Sequence, residues 1–357
     1  PPGPPPAFPA AGGGRMSMNP FWRRAASLVS GMASRSGITE RLLERRRLSG
    51  DYRVFILEYH DVVSGGAERE GTISRERFRR HLRFLRTRCR LVSLSEAVGL
   101  LRESAPLAED FAVVTFDDGT LGTHDAAWPV LREEGVRGTL FVTTGFVDGA
   151  DLWFDLARRC LAAARRAPLP RPLKGEVLAA VGKWSTDRDI EKGLERLKRL
   201  PPEKRDALLL RLRAACPPPP TSMPPVSWDR LRRMHAEGIE IGCHTVSHPV
   251  LSLLPPERQE EEILRARDRI TEEIGVTPTL FAYPNGAAGD FSETTVEILR
   301  RAGFVAACTT LRGSNRPGCD LFQLKRIGIG ADSEALLAAR LAGLFDEAVR
   351  ARLPGAA

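Results

Sequence analysis

The feature that most constrains this chain is a rhythm. From residue 51 onward, short apolar runs alternate with stretches of helical periodicity, and the runs over 54–59, 112–116, 139–143, 239–243, 280–283, 305–309 and 324–329 read as strands. Most are bounded by Gly, Pro or Asp. Between them the spacing predicts helices over about 74–88, 124–134, 227–238, 256–274, 292–302 and 333–350. Strand followed by helix, repeated about seven times, means parallel strands with crossover helices, so the fold class is α/β, either a barrel or an open doubly wound sheet.

One block breaks the rhythm. Residues 151–225 contain helical stretches over about 152–166, 187–199 and 202–214, separated by proline-rich turns, and read as a helical insertion into the repeat. At the other end, residues 1–18 are Pro- and Gly-rich, a leader read as disordered or non-native, and 19–50 form an Arg-rich helical segment. The expected body of the protein is 51–357, interrupted at 151–225. Nothing in 19–36 makes a convincing signal peptide, which favours the cytoplasm or the inner membrane face.

Charge narrows the partners. The formal net charge is +8. Residues 1–50 carry eight Arg against two Glu, and 151–225 carry sixteen basic against nine acidic residues, so the rest of the chain is mildly acidic. A basic excess confined to two appendages argues against nucleic acid as partner and leaves room for peripheral contact with a membrane or an anionic substrate. No apolar run reaches the ~18 residues of a membrane span. The six cysteines form no CxxC pair and read as isolated thiols.

Three segments at the carboxyl ends of expected strands carry chemistry, and in parallel α/β folds ligands gather at that edge. In Thr115-Phe116-Asp117-Asp118-Gly119 two adjacent carboxylates would repel unless a cation holds one of them, although Asp-Gly is also ordinary turn chemistry. In Gly242-Cys243-His244-Thr245-Val246-Ser247-His248-Pro249 two histidines four residues apart can aim at one point, or they are capping or core residues. Joined to Asp118 they make two imidazoles and a carboxylate, a metal-site pattern with open positions. In Phe281-Ala282-Tyr283-Pro284-Asn285-Gly286 a tight turn leaves backbone N–H groups available to an oxyanion.

These three motifs, in this order, resemble the polysaccharide deacetylases, the NodB homology domain of carbohydrate esterase family 4. The likeness covers roughly 51–150 and 226–330. It implies an irregular (β/α) barrel of about seven strands, a metal held by Asp118, His244 and His248, and Asp117 as general base. It implies removal of N-acetyl groups from an amino sugar in a polysaccharide or glycan precursor, including a glycolipid precursor. Zinc fits such ligands best, with iron, cobalt or nickel as alternatives. The chain departs from the family where Ala282 and Asn285 replace an Arg and a Tyr. Asn285 keeps the backbone role of oxyanion donor, and Arg326 on the last strand is the candidate orienter of the base. No histidine follows His248, so His60, at the end of the first strand, is the candidate acid. Two other readings are a hydrolase of another non-peptide amide on this scaffold and a non-catalytic glycan-binding protein. Oligomeric state is not legible.

Overall fold

The structure is a computed structural model that describes residues 30–344, apart from 34, 35, 66, 67, 69, 70, 104 and 168. The leader over 1–18, residues 19–29 of the Arg-rich segment and the far end of the 333–350 helix therefore lie outside the described residues.

The strands are β1 (Val54–Tyr59), β2 (Asp61–Val63), β3 (Thr72–Ser74), β4 (Arg90–Leu91), β5 (Phe111–Phe116), β6 (Gly138–Val142), β7 (Glu240–Cys243), β8 (Leu280–Ala282), β9 (Ala306–Arg312) and β10 (Leu324–Gly328). The main sheet runs β1-β10-β9-β8-β7-β6-β5, all neighbours parallel, and β5 pairs back onto β1 from Val54↔Phe111 to Tyr59↔Phe116. That pairing closes a seven-stranded barrel. The short β4 joins β5 at Phe111 and Ala112, below the point where β6 engages it at Val114–Phe116, so it leaves the ring intact.

Closure explains the continuous apolar runs. A strand in a closed, helix-covered barrel is buried on both faces, and all six residues of β1 and of β5 are buried. Strand alternation then sorts them. Val54 and Ile56 of β1, Val113 of β5, Phe141 of β6, Leu280 and Ala282 of β8 and Leu324 of β10 form one inner cluster. The helix Leu94–Arg102 packs into that cluster through Leu94, Ala97, Val98 and Leu101 and plugs the amino-terminal mouth. Glu240, at the start of β7, accepts from the amides of Leu94 and Ser95 and holds the plug. Phe55, Leu57 and Tyr59 face outward into a larger core beneath the surrounding helices.

The helix expected over 124–134 opens with a π-helical turn, Thr123–Ala127, and continues as Trp128–Glu133. Four helices fill the 151–225 block, Trp153–Ala164, Arg171–Val181, Asp187–Leu197 and Pro202–Ala215, and they share a core of their own. The second was missed in the sequence because Pro170, Pro172 and Gly175 read as turn residues. Proline near a helix start lacks only a donor that has no partner there anyway. The block leaves after β6 and returns beside the Asp117-Asp118 turn, where Leu121 N–H donates to Pro224 O and Val226 N–H to Gly119 O.

Candidate active site

The inner faces of three strands continue upward into charged side chains. Two residues beyond Ile56 is Glu58, followed by His60; beyond Val113 are Thr115 and Asp117; beyond Leu324 is Arg326. The same alternation that builds the apolar interior therefore delivers these groups to the carboxyl-terminal mouth. Arg326 is fully buried, donates from both terminal nitrogens to the two Asp117 oxygens at 2.7 Å, and anchors its Nε on Thr309 O at 2.8 Å. Burial by itself would raise the Asp117 pKa, but the charge and hydrogen bonds of Arg326 outweigh it and hold the carboxyl well below the ordinary range.

Beside this pair, Asp118 Oδ1 lies 3.4 Å from His248 Nε2 and 3.7 Å from His244 Nε2, and all three side chains are buried. His244 Nδ1 lies 2.7 Å from Ala282 O. A carbonyl can only accept, so Nδ1 carries the proton and Nε2 presents its lone pair to the carboxylate. Burial lowers the His244 pKa and favours the neutral ring that a metal requires. Lone pairs facing a carboxylate oxygen this closely repel unless a cation lies between them. Tetrahedral bonds of ~2.0–2.1 Å put neighbouring ligand atoms about 3.3 Å apart. The donor set and its spacing fit a divalent metal.

The loops that shape the site are held under strain. Among the described residues, the non-glycine positions with positive φ are Asp118, Thr245, His248 and Asn285, all within the three motifs. Such conformations cost on the order of 1–3 kcal/mol each and persist where the surroundings over-determine them. The surroundings here are specific. Glu262 accepts from the amides of Val246 and Ser247, Trp153 Nε1 donates to His248 O at 3.0 Å, and the Phe154 ring packs on the edge of His248. Thr310 donates its hydroxyl to Asn285 O and its amide to Gly286 O, fixing the Pro284-Asn285-Gly286 turn. Asn285 Nδ2 is buried with no hydrogen-bond partner.

His60 is the more open member of a second group. Its Nε2 lies 3.6 Å from Glu58 Oε1, and Glu58 Oε2 lies 3.7 Å from Arg326 Nε. In the sequence Glu58 stands in the segment Glu58-Tyr59-His60-Asp61, an echo of the family pattern that gives it no role, and Trp153 and Phe154 of the inserted block were not singled out. Glu58 could have been found from its two-residue spacing to His60 along one strand; the aromatic pair carries no local signal. Of the other histidines, His81 is buried against Tyr59 Oη and Asp332 O, His124 pairs with Asp125, and His235 lies near Ile239 O.

The family profile described as Polysaccharide deacetylase matches residues 104–307. The chain belongs to the polysaccharide deacetylase family. The match spans all three motifs, and Glu58, His60 and Arg326 lie outside it. YxkH of Bacillus subtilis (strain 168), whose name also places it among polysaccharide deacetylases, is 20% identical over 275 residues, covering 77% of this chain and 70% of that one. Among solved structures, IcaB from Ammonifex degensii is 24% identical with a TM-score of 0.55, covering 82% of this deacetylase and 97% of that chain. The Streptococcus pyogenes deacetylase PplD, solved in complex with acetate, is 18% identical with a TM-score of 0.54, covering 80% and 96%. These structural likenesses concern the fold.

Proposed function

We propose that this polysaccharide deacetylase is a metal-dependent hydrolase that removes N-acetyl groups from an amino sugar in a glycan or glycolipid precursor. The observation that carries the reading is the juxtaposition of the Asp118, His244 and His248 ligand atoms with an Asp117 carboxylate that Arg326 keeps ionised and aimed. Asp118, His244 and His248 would hold a divalent cation, zinc by ligand preference, which would supply a Lewis acid and bring the pKa of water down toward ~7. An amide is a poor electrophile with a poor leaving group, so three further tasks fall to the chain. Asp117 takes a proton from the attacking water, and Arg326 fixes its direction. The Asn285 backbone N–H donates to the oxyanion of the tetrahedral intermediate. His60, held beside Glu58, gives a proton to the departing amine.

The test is metal analysis of the purified protein combined with acetate release from N-acetylated oligosaccharides. Bound divalent metal and chelator-sensitive release are expected, with Asp117→Asn slowing release by about 10²–10⁴-fold at unchanged metal content. A protein that takes up no metal, or an Asp117→Asn variant with the original rate, overturns the reading.

A further inference from the structure

The helix Ile38–Leu48 turns the wrong residues outward. Ile38, Leu42 and Leu48 are 46%, 37% and 82% exposed, and Met32 just before them is 63% exposed. These are four of the eight large apolar side chains exposed among the described residues, gathered in one short stretch. Ile38, Arg41, Leu42, Arg45 and Leu48 are three and four residues apart, so they form a single stripe along the helix. The opposite face holds Thr39, Leu43 and Arg46 against the protein.

The orientation is pinned. Arg46 makes a two-pronged pair with the buried Asp110 at 2.8 and 2.7 Å, and Arg47 Nε reaches the same carboxylate at 3.0 Å. The helix cannot roll to hide its outer leucines without breaking these bonds. Its arginines thus divide by role: two are turned inward to Asp110, while Arg41 and Arg45 are exposed and form no ion pair among the described residues. Glu40 is tied to Arg88, and Glu44 is the acid left on the outer surface.

We infer that this helix docks the protein onto an anionic membrane surface, with Ile38, Leu42 and Leu48 entering the interface and Arg41 and Arg45 meeting lipid phosphates. Apolar side chains interleaved with unpaired arginines are the composition of an interfacial helix, not of a spanning one, and no helix among the described residues is long and apolar enough to cross a membrane. Charge decides between occupants. A two-fold contact with a second copy would set Arg41 and Arg45 against their own counterparts, whereas an anionic leaflet complements them. The sequence upstream extends the same chemistry: residues 1–37 hold four Arg and no acidic residue, and Phe21, Trp22, Arg23 and Arg24 combine aromatic with basic side chains.

Co-sedimentation of the full chain with vesicles tests this without reference to activity, so its failure leaves the deacetylase reading untouched. The protein should pellet with phosphatidylcholine vesicles containing about 30 mol% phosphatidylserine, pellet poorly with phosphatidylcholine alone, and be released by salt. Leu42→Glu with Leu48→Glu, and separately Arg41→Glu with Arg45→Glu, should each weaken partitioning about tenfold or more. All four side chains are exposed, and unchanged circular dichroism would show that the variants fold. Wild-type protein that stays in the supernatant with anionic vesicles, as when the preceding chain or a second copy covers the stripe, overturns the proposal. So do variants that partition like wild type.

Discussion

Arg326 shows how much one side chain organises. It lies fully buried between two carboxylates, Asp117 and Glu58, and its planar fork matches Asp117 oxygen for oxygen. Lysine would keep the charge but lose the fork. Arg326→Lys should therefore slow acetate release by about ten- to a hundredfold while metal content stays the same, as parallel rate and metal assays would show. Arg326→Ala should instead destabilise the fold by about 3–5 kcal/mol in denaturant melts, because two buried carboxylates lose their cation. Asp117, Asp118, His244 and His248 stood out as candidates because each sits in a short polar motif that interrupts apolar sequence. Arg326 was legible by its place on the last strand. The role of Glu58 was not, since one acid within an apolar run says nothing of its partner until the barrel closes and sets it against Arg326, an interaction across 268 positions of chain.

Among the elements, the inserted helices are tied to the site by polar anchors. Trp153 holds the His248 loop from one side, and Lys198 reaches Asp290 at 3.0 Å, with both side chains buried. Asp290 also accepts from Arg199 and from the Ala287 amide, so it braces the loop that carries Asn285. We propose that the block positions these two loops. Lys198→Ala leaves Asp290 with Arg199 and one amide, and the expected loss is about 2–3 kcal/mol, below the ~3–5 kcal/mol of a fully abandoned buried charge. Equilibrium unfolding in denaturant checks the value. The helix boundaries were readable at the serine caps Ser227 and Ser292, but Leu94–Arg102 was missed although Ser93 caps it, and Arg171–Val181 was missed because proline signals a turn and a helix start alike.

At the scale of the whole molecule, burial of titratable groups sets the response to acid. Burial lowers the His81 pKa in the folded state, so below the unfolded value of ~6.5 the unfolded chain binds more protons and stability falls as pH falls. His244 has the same sign in the metal-free chain. Asp117, whose folded pKa is depressed, contributes stability above ~3.9 that is lost only as pH drops further, through its folded value. Thermal melts of metal-free protein should therefore show Tm declining as pH falls below about 6.5, a decline that His81→Gln reduces, and again below about pH 4.

The amino-acid sequence alone determined the strand–helix alternation, the inserted block and the motifs at the strand ends. These are local properties, written in periodicity over windows of ten or so residues and in the chemistry of short turns. Whether the sheet stayed open or closed was decided only in three dimensions, by the pairing of β5 with β1 across an intervening span of more than fifty residues. Closure, in turn, brought Glu58, Asp117 and Arg326 together at one mouth and set the inserted helices against His248. The physical reason is that periodicity states which face of a strand is buried, whereas the neighbour it is buried against depends on pairings distant in sequence that no local pattern encodes.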